Sequence, residues 1–277
     1  MAQGAVVVTG ASTGIGEATA RHLRELGFDV FAGVRKNEDA DRARKSGLRP
    51  LTLDVTDGDS IERARAEVEG ERLAGLVNNA GIAVAAPLEF LPIDRLRQQL
   101  EINLIGQAAV IQAFLPALRR ARGRIVNVSS IGGRVGLPLV SPYNASKFGL
   151  EGLSDSLRRE LRPQGIDVIL IEPGGVKTPI WNKAEKLADD MLSDGMPPEA
   201  EQLYGTMIEA VRAGTARIAR ETGIEPREVA EAIGTALTAR RPRARYLVGR
   251  DAKTRWAMAK ILPDRVMDRL IGRALGS

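Results

Sequence analysis

Tyr143 and Lys147 are the residues of this sequence whose types and spacing best suit proton transfer. They lie four positions apart and follow Ser141 and Pro142, which suit the N-cap and the first turn of a helix. Residues at i and i+4 share one helix face, so both side chains can enter one cleft. A free tyrosine has a pKa of ~10, and a nearby ammonium lowers it toward the neutral range. A Tyr–Lys pair on a helix surface is the competing interpretation.

Two further polar residues could act with this pair. Ser130 follows the apolar run 125–129 and precedes Tyr143, so its hydroxyl could orient a substrate carbonyl or alcohol. Asn103 falls inside a long helical stretch, where asparagine is a mediocre helix former. Such a residue bonds to the backbone or bends the helix, which points to a water or proton path. A purely structural role for Asn103 is the alternative.

A glycine-rich turn joins the first apolar run to a helical stretch. Its sequence is Thr9-Gly10-Ala11-Ser12-Thr13-Gly14-Ile15-Gly16. Gly10 permits a tight turn, while Gly14 and Gly16 let the backbone approach a pyrophosphate and let the helix pack on the sheet. The free amides and the positive dipole at a helix N-terminus favour phosphate groups. The turn predicts a dinucleotide site, with an ordinary turn as the alternative.

The ends of the second and third strands bear on which nucleotide is bound. An acidic residue after the second strand would accept bonds from a ribose 2′-hydroxyl, but this sequence has Arg35 and Lys36 there. Arginine can hold a 2′-phosphate bidentately, so NADP(H) is favoured and NAD(H) remains possible. Asp54 could accept a bond from the adenine amino group or could cap the helix that begins near Asp57. Asn78-Asn79-Ala80-Gly81 would let a cofactor lie against the backbone, or forms a plain turn.

Apolar runs alternate with helical stretches along the chain. The predicted strands are 6–9, 29–33, 50–53, 76–78, 125–129, 168–171 and 245–249, and the predicted helices are 15–26, 57–69, 92–120, 142–161 and 225–239. Strands that alternate with helices and are apolar throughout predict a parallel sheet covered on both faces. We therefore expect one α/β domain over 1–277, a Rossmann-type doubly wound sheet of about seven strands. Its parts are a cofactor half (about 1–122), a catalytic half (about 123–178), a helical substrate lid (about 179–217) and a C-terminal strand and helices (about 225–277).

Composition excludes several kinds of site. The chain has no cysteine, which excludes disulfides, thiolate catalysis and zinc–sulfur sites. The net charge is +5, but its 40 basic and 35 acidic residues are interspersed, and no nucleic-acid motif accompanies them. No apolar run reaches ~18 residues, and no leader pattern is visible at the N-terminus. We expect a cytoplasmic protein with no transmembrane segment and no nucleic-acid partner.

These motifs together resemble the short-chain dehydrogenase/reductase family over roughly Ala5 to Thr178. The resemblance implies hydride transfer between a nicotinamide cofactor and an alcohol or carbonyl group. In it, Tyr143 is the general acid/base, Ser130 polarises the substrate oxygen, Lys147 binds the nicotinamide ribose and Asn103 holds a water. The implied cofactor contacts are Gly10, Ser12, Thr13, Gly14, Ile15, Gly16, Arg35, Lys36, Asp54, Val55, Asn79, Ala80, Gly81, Tyr143, Lys147, Pro173, Gly174, Val176 and Thr178. Homodimers or homotetramers built on helices 93–120 and 142–161 are also implied.

The segment after Thr178 is the expected substrate region. Its apolar residues form a flexible lining or pack the lid, and they are Ile180, Trp181, Leu187, Met191, Leu192, Met196, Leu203, Tyr204, Met207 and Ile208. Residues 30–36 and the long tail are similar to the retinol/steroid dehydrogenase branch, which implies a steroid, retinoid or lipid-like substrate. The amphipathic stretch 251–275 is expected to cap the pocket, with membrane contact the less favoured alternative. A non-catalytic NADP(H)-binding sensor is the second functional hypothesis.

Overall fold

A computed structural model describes residues 3–180 and 197–275, and its centre is a parallel β-sheet. The strands are β1 (Ala5–Val8), β2 (Asp29–Val34), β3 (Arg49–Thr52), β4 (Leu73–Asn78), β5 (Arg124–Val128), β6 (Asp167–Pro173) and β7 (Arg245–Val248). They lie in the order β3-β2-β1-β4-β5-β6-β7, and every pairing is parallel. The order reverses between β1 and β4, which is where ligands bind in open sheets of this kind. The predicted α/β fold is confirmed.

Helices cover both faces of this sheet. They are α1 (Gly14–Glu25), α2 (Asn37–Lys45), α3 (Gly58–Glu67), α4 (Ile93–Leu100), α5 (Gly106–Ala121), α6 (Ser141–Leu161), α7 (Pro198–Arg217), α8 (Pro226–Thr238), α9 (Arg250–Ile261) and α10 (Asp264–Ala274). On one face, Leu23 of α1 and Ile233 of α8 pack with alternate strand residues. On the other face, Phe114 of α5 packs with α3 and the end of α6. Two buried cores result, as expected for strands that are apolar on both sides.

Three helical predictions were wrong in detail. Helix α2 was not predicted, because it is strongly charged and buries only Ala40 and Ala43. The single helix predicted over 92–120 is two helices joined by a π-helical turn at Glu101–Ile105. Ser141 is the first residue of α6 rather than its N-cap, and its buried hydroxyl has no hydrogen-bond partner.

One helical span, Ile93–Ala121, is long and apolar enough to cross a membrane by length and composition alone. Its apolar residues Val110, Phe114 and Leu118 are fully buried against the sheet. Burial against the sheet accounts for these three residues, and a core helix satisfies the same length and hydropathy test as a membrane helix.

The C-terminal helices pack beside the end of β5. Ala252 of α9 and Met267 of α10 join one apolar cluster with Ile131 and Val135, which follow Ser130 in the chain. Pro263 lies between the two helices, at the N-cap of α10. The C-terminal helices thus pack next to the segment after Ser130, and the cap over the pocket stays a prediction.

Candidate active site

The glycine turn closes on the segment that follows β4. Gly10 and Gly14 have φ values of +63° and +59°, a region that favours glycine. A Cβ atom on Gly10 would lie 2.8 Å from Ala80 Cα, and one on Gly16 would lie 2.5 Å from Asn79 Nδ2. The turn therefore needs glycine at positions 10 and 16 for its own packing, before any ligand is considered.

Thr9 and Asn79 bond these two segments together. The Thr9 hydroxyl oxygen accepts from the amides of Asn79 and Ala80, both at 2.9 Å. The Asn79 side chain donates to the carbonyls of Thr9 at 3.0 Å and Gly10 at 3.2 Å. Asn79, a predicted cofactor contact, thus holds the turn in shape with its side-chain amide. Thr9 was missed as a positioning residue, although a hydroxyl at a strand end was the available signal.

The turn fits the phosphate groups of a dinucleotide. Within the described chain, no side chain caps α1 at Thr13, so the amides of its first turn are not taken by a cap. Ser12, Thr13 and Ile15 keep partial solvent exposure around those amides. An uncapped N-terminus on a glycine turn is an anion site, since free amides and the helix dipole both favour negative charge.

Two cations follow β2 at the same edge of the sheet. The Arg35 side chain is 68% exposed, and its Nη1 lies 3.8 Å from Asp54 Oδ2. Lys36 is exposed and stands at the N-cap of α2. Arg42 of α2, which sequence reasoning missed, donates to the carbonyl of Ser12 at 3.3 Å. The side of the turn next to β2 is therefore positively charged.

Asp54 does not cap the next helix. Asp57 caps α3, accepting from the amides of Asp59 and Ser60. Asp54 Oδ1 instead accepts from the amide and the hydroxyl of Thr56 at 3.0 and 2.8 Å. Burial raises the pKa of Asp54, but the bonds from Thr56 and the charge of Arg35 outweigh it and hold that pKa below its usual value. The carboxylate is thus ionised and oriented at the sheet edge.

The side chain of Val55, a predicted cofactor contact, is buried in the core. Only the backbone of Val55 can therefore contact a cofactor.

Ser130, Tyr143 and Lys147 meet at the end of β5, as predicted. Ser130 Oγ accepts from the amide of Gly132 at 3.0 Å and shares a hydrogen bond with Tyr143. Burial raises the pKa of Tyr143, and the bond with Ser130 opposes that rise. A Cβ atom on Gly132 would lie 3.2 Å from Tyr143 Cε1. Sequence reasoning missed Gly132, whose lack of a side chain lets the serine and the phenol approach each other.

Lys147 is 4% exposed and donates to the carbonyl of Val128 at 2.8 Å. Its Nζ lies 5.8 Å from the centre of the Tyr143 ring. Burial lowers the pKa of Lys147 to about 8, and the charge of Glu151 works against that fall. At neutral pH the ammonium is therefore a buried positive charge beside the phenol. The pKa of Tyr143 nevertheless stays above its ordinary value because of burial, so the lowering predicted from the sequence is wrong for this structure.

Asn103 lies on the π-helical turn and joins two parts of the site. Its Oδ1 accepts from the amide of Ile82 at 2.9 Å, and its Nδ2 donates to the Ile82 carbonyl at 3.0 Å and to Ser146 Oγ at 3.2 Å. Ser146 Oγ donates to the backbone carbonyl of Tyr143 at 2.7 Å. Gly81 packs against Asn103, where a Cβ atom would lie 3.3 Å from Oδ1. Asn103 thus connects the segment after β4 to the helix that carries Tyr143, and π-turns recur at functional sites.

A buried ionic cluster lies one helical turn beyond Lys147. Glu151, at i+4 from Lys147, lies 3.3 Å from Arg245, and Glu172 lies 2.9 Å from Arg134. Arg245 also lies 3.1 Å from Glu172, so the two carboxylates share it. Burial raises the pKa of Glu151 to about 7, and the arginines oppose that rise. The i+4 spacing was the only sequence signal for this cluster, because its other members come from distant segments.

The segment after β6 reaches the glycine turn. The Gly174 amide donates to the carbonyl of Val248 at 2.9 Å, so it continues the ladder between β6 and β7 past Pro173. Val176 is 4% exposed. A Cβ atom on Gly14 would lie 3.2 Å from Thr178 Cγ2. The predicted contacts on both segments therefore border one cleft.

The described part of the predicted lid rests on the segment after β4. Tyr204 donates to Glu89 Oε2 at 3.0 Å, and its ring meets Phe90 edge-on with centroids 6.0 Å apart. Met207 and Ile208 are half-buried on α7, and Leu203 is 58% exposed. Ile180 is partly exposed, and the remaining predicted lining residues lie outside the described residues: Trp181, Leu187, Met191, Leu192 and Met196.

Comparison with known proteins agrees with this geometry. The family model for short chain dehydrogenases matches residues 4–188. The chain is 37% identical to retinol dehydrogenase 5 of Mus musculus, over 96% of this chain and 87% of that protein. It is 34% identical to the NADPH-dependent 3-dehydrocapnine reductase of Ornithobacterium rhinotracheale, over 97% and 96%. A short chain dehydrogenase from Burkholderia cenocepacia J2315, solved in complex with NADP, is 26% identical, with 97% and 98% coverage and a TM-score of 0.76. The chain belongs to the short-chain dehydrogenase family and resembles its retinol and steroid dehydrogenase branch.

Proposed function

We propose that this protein is an oxidoreductase that interconverts an alcohol and a ketone or aldehyde with a nicotinamide cofactor, preferring NADP(H) over NAD(H). The observation that carries the proposal is the meeting of Ser130, Tyr143 and Lys147 at the sheet edge that also bears the glycine turn. The bound cofactor supplies or accepts the hydride. The protein binds and orients the reactants and moves the proton.

In this proposal Tyr143 exchanges a proton with the substrate oxygen. Its pKa is raised, so the phenol is protonated near neutral pH and suits the acid role in carbonyl reduction. Ser130 donates to the same oxygen and polarises it. The Lys147 ammonium stabilises the phenolate left after proton transfer and binds the nicotinamide ribose. Asn103 holds the water of the proton path while its side chain keeps α6 in place.

The cations after β2 support the preference for NADP(H). Arg35 is exposed, and its long contact with Asp54 leaves it free to pair with a 2′-phosphate. Asp54 keeps an oriented carboxylate for the adenine amino group. A relative named as NADPH-dependent and a neighbour solved with NADP support the same preference.

An apolar substrate of the steroid, retinoid or lipid kind is part of the proposal. Met207 and Ile208 are half-buried apolar residues of the described part of the lid, and a retinol dehydrogenase is among the relatives.

We also propose that the protein forms a homodimer or a homotetramer. The proposal is supported by Ile105 and Phe148, which are 52% and 47% exposed on the helical layer of α4, α5 and α6. Light scattering of the purified protein tests that state, and a monomer contradicts it.

Tyr143→Phe tests the proposed function most directly. Turnover of a panel of retinoids, steroids, long-chain ketones and simple ketones is followed by the absorbance of the reduced nicotinamide. We expect the wild type to turn over at least one of them and the variant to lose about 10²–10⁴-fold in kcat/KM. The dissociation constant for NADPH, measured by calorimetry, should change by less than about threefold, because the hydroxyl adds only one hydrogen bond.

Tyr246→Phe is the matched control, since it removes a phenol hydroxyl that accepts from the amide of Arg243 at 3.1 Å and lies outside the proposed site. Wild-type turnover in Tyr143→Phe contradicts the assigned role. A wild type that binds NADPH and turns over no carbonyl or alcohol supports the sensor hypothesis instead.

A further inference from the structure

The carboxylate of Asp251 lies in a pocket lined by glycines at the end of β6. Asp251 stands in the first turn of α9, and its Oδ2 accepts from the amide of Gly175 at 2.8 Å. A Cβ atom on Gly174 would overlap the Asp251 carboxylate, and one on Gly249 would lie 2.7 Å from Asp251 Oδ1. Two glycines thus leave the space that the carboxylate fills.

A helix-capping role does not account for this placement. Acidic residues in a first helical turn are common, because they complement the helix dipole. The N-cap of α9, however, is Gly249 rather than Asp251. The hydrogen bond of the Asp251 carboxylate crosses to the amide of Gly175, which lies 76 positions earlier in the chain. The carboxylate therefore serves the segment after β6.

That segment carries predicted cofactor contacts, among them Gly174 and Thr178, and its Gly174–Gly175 backbone is here called the cofactor wall. The amide of Gly174 donates to the carbonyl of Val248, and the carbonyl of Gly175 accepts from the amide of Ile224, both at 2.9 Å. A few residues on, Thr178 packs beside Gly14 of the glycine turn. The Gly174–Gly175 backbone thus makes three hydrogen bonds, two to backbone groups and one to the side chain of Asp251.

We propose that Asp251 is a positioning residue for cofactor binding, which holds Gly174 and Gly175 in the conformation that receives the nicotinamide half of the cofactor. This inference rests on the proposed function. It assigns the C-terminal helices a second task besides capping the pocket, since α9 carries the residue that shapes the cofactor wall. It also implies that position 174 needs glycine because of Asp251 rather than because of the cofactor.

A double-mutant cycle between Gly174→Ala and Asp251→Ala tests this. In the wild-type background the added methyl meets the carboxylate, so we expect Gly174→Ala to raise the dissociation constant for NADPH by about 10-fold, which is an ordinary coupling for residues in contact. In the Asp251→Ala background the methyl has room, and its addition should change that constant by less than about twofold. Calorimetric titration of NADPH into the purified protein gives all four constants.

Asp251→Asn and Asp251→Ala provide a second comparison that does not depend on Gly174→Ala being folded. Asparagine keeps an oxygen for the Gly175 amide, so its affinity for NADPH should stay within about threefold of wild type, whereas alanine should lose about 10-fold. At saturating NADPH, kcat should be similar in all three proteins, because Asp251 touches no reacting atom. Asp264→Ala, which removes an exposed first-turn acid from α10, is the control and should leave affinity unchanged.

Three results overturn the inference. An equal penalty for Gly174→Ala in both backgrounds means that the cofactor itself requires the glycine. Equal NADPH affinity in wild type, Asp251→Asn and Asp251→Ala means that Asp251 does not position the wall. A wild type that binds neither NADPH nor NADH overturns both the inference and the proposed function, whereas the first two results leave the proposed function intact.

Discussion

Lys147→Met should change the way in which the stability of this protein depends on pH. Methionine has a similar length and no charge, so the substitution removes a buried ammonium while it fills most of the same space. The folded protein holds Lys147 with a pKa of about 8, lowered by burial from the ordinary 10.5. The unfolded chain therefore binds this proton more tightly than the folded chain.

The sign and size of the effect follow from that difference. Where the unfolded state binds more protons, the free energy of unfolding rises with pH. The contribution of Lys147 is fully present above pH 10.5 and is lost as pH falls through about 8. Integrated from about pH 8.5 to about pH 10, the wild type should gain about 2 kcal/mol of unfolding free energy relative to Lys147→Met. Glu151, with a pKa of about 7, is already ionised throughout that range and contributes little to the difference.

Urea denaturation of the cofactor-free protein at several pH values measures this directly. Other groups that titrate above pH ~8.5 cancel in the difference between wild type and variant. Lys45→Met, which removes an exposed lysine of α2, is the matched control and should show no such trend. A wild-type minus Lys147→Met difference that is flat with pH would falsify the claim that burial depresses this pKa. The variant should also lack turnover, because the charge beside Tyr143 is gone.

Two further predictions test other parts of the site. Arg35→Ala should raise the dissociation constant for NADPH about 10-fold or more and change that for NADH little, because the substitution removes a charged hydrogen bond to the 2′-phosphate. Arg44→Ala is the control. Equal losses of affinity for both nucleotides contradict the proposed preference for NADP(H). Ser141→Ala should leave stability unchanged or slightly higher, since the hydroxyl is buried without a partner, whereas Asp57→Ala should cost about 1 kcal/mol by removing the cap of α3. Thermal melting separates these two, and a loss of the same size for Ser141→Ala would restore the predicted cap.

Local patterns were enough to predict the sheet and the meeting of Ser130, Tyr143 and Lys147 at its edge. Strands buried on both faces are apolar throughout, and helices end at glycine and proline, so the alternation was visible without tertiary contacts. Tyr143 and Lys147 share one helix, and Ser130 follows a strand, so their meeting at one sheet edge follows from the parallel topology. The glycine turn was equally local, because positive φ angles favour glycine itself.

Contacts between distant segments of the chain could not be predicted from local sequence patterns. The boundary of α4 depends on a π-turn whose Asn103 bonds to Ile82 and Ser146, and no local preference predicts such a turn. Helix α2 lacks an apolar stripe, so its burial against β3 was invisible in the pattern.

By itself, the sequence determined that this is a doubly wound α/β protein with a glycine turn after its first strand and with Ser130, Tyr143 and Lys147 at one edge of the sheet. Those features depend on residue type and on spacing within single elements. Only the tertiary structure decided what surrounds them: the buried cluster beyond Lys147 and the seating of Asp251 between two glycines. The physical reason is that burial and desolvation depend on every segment that packs around a group, and so do the pKa of Lys147 and the shape of the cofactor wall.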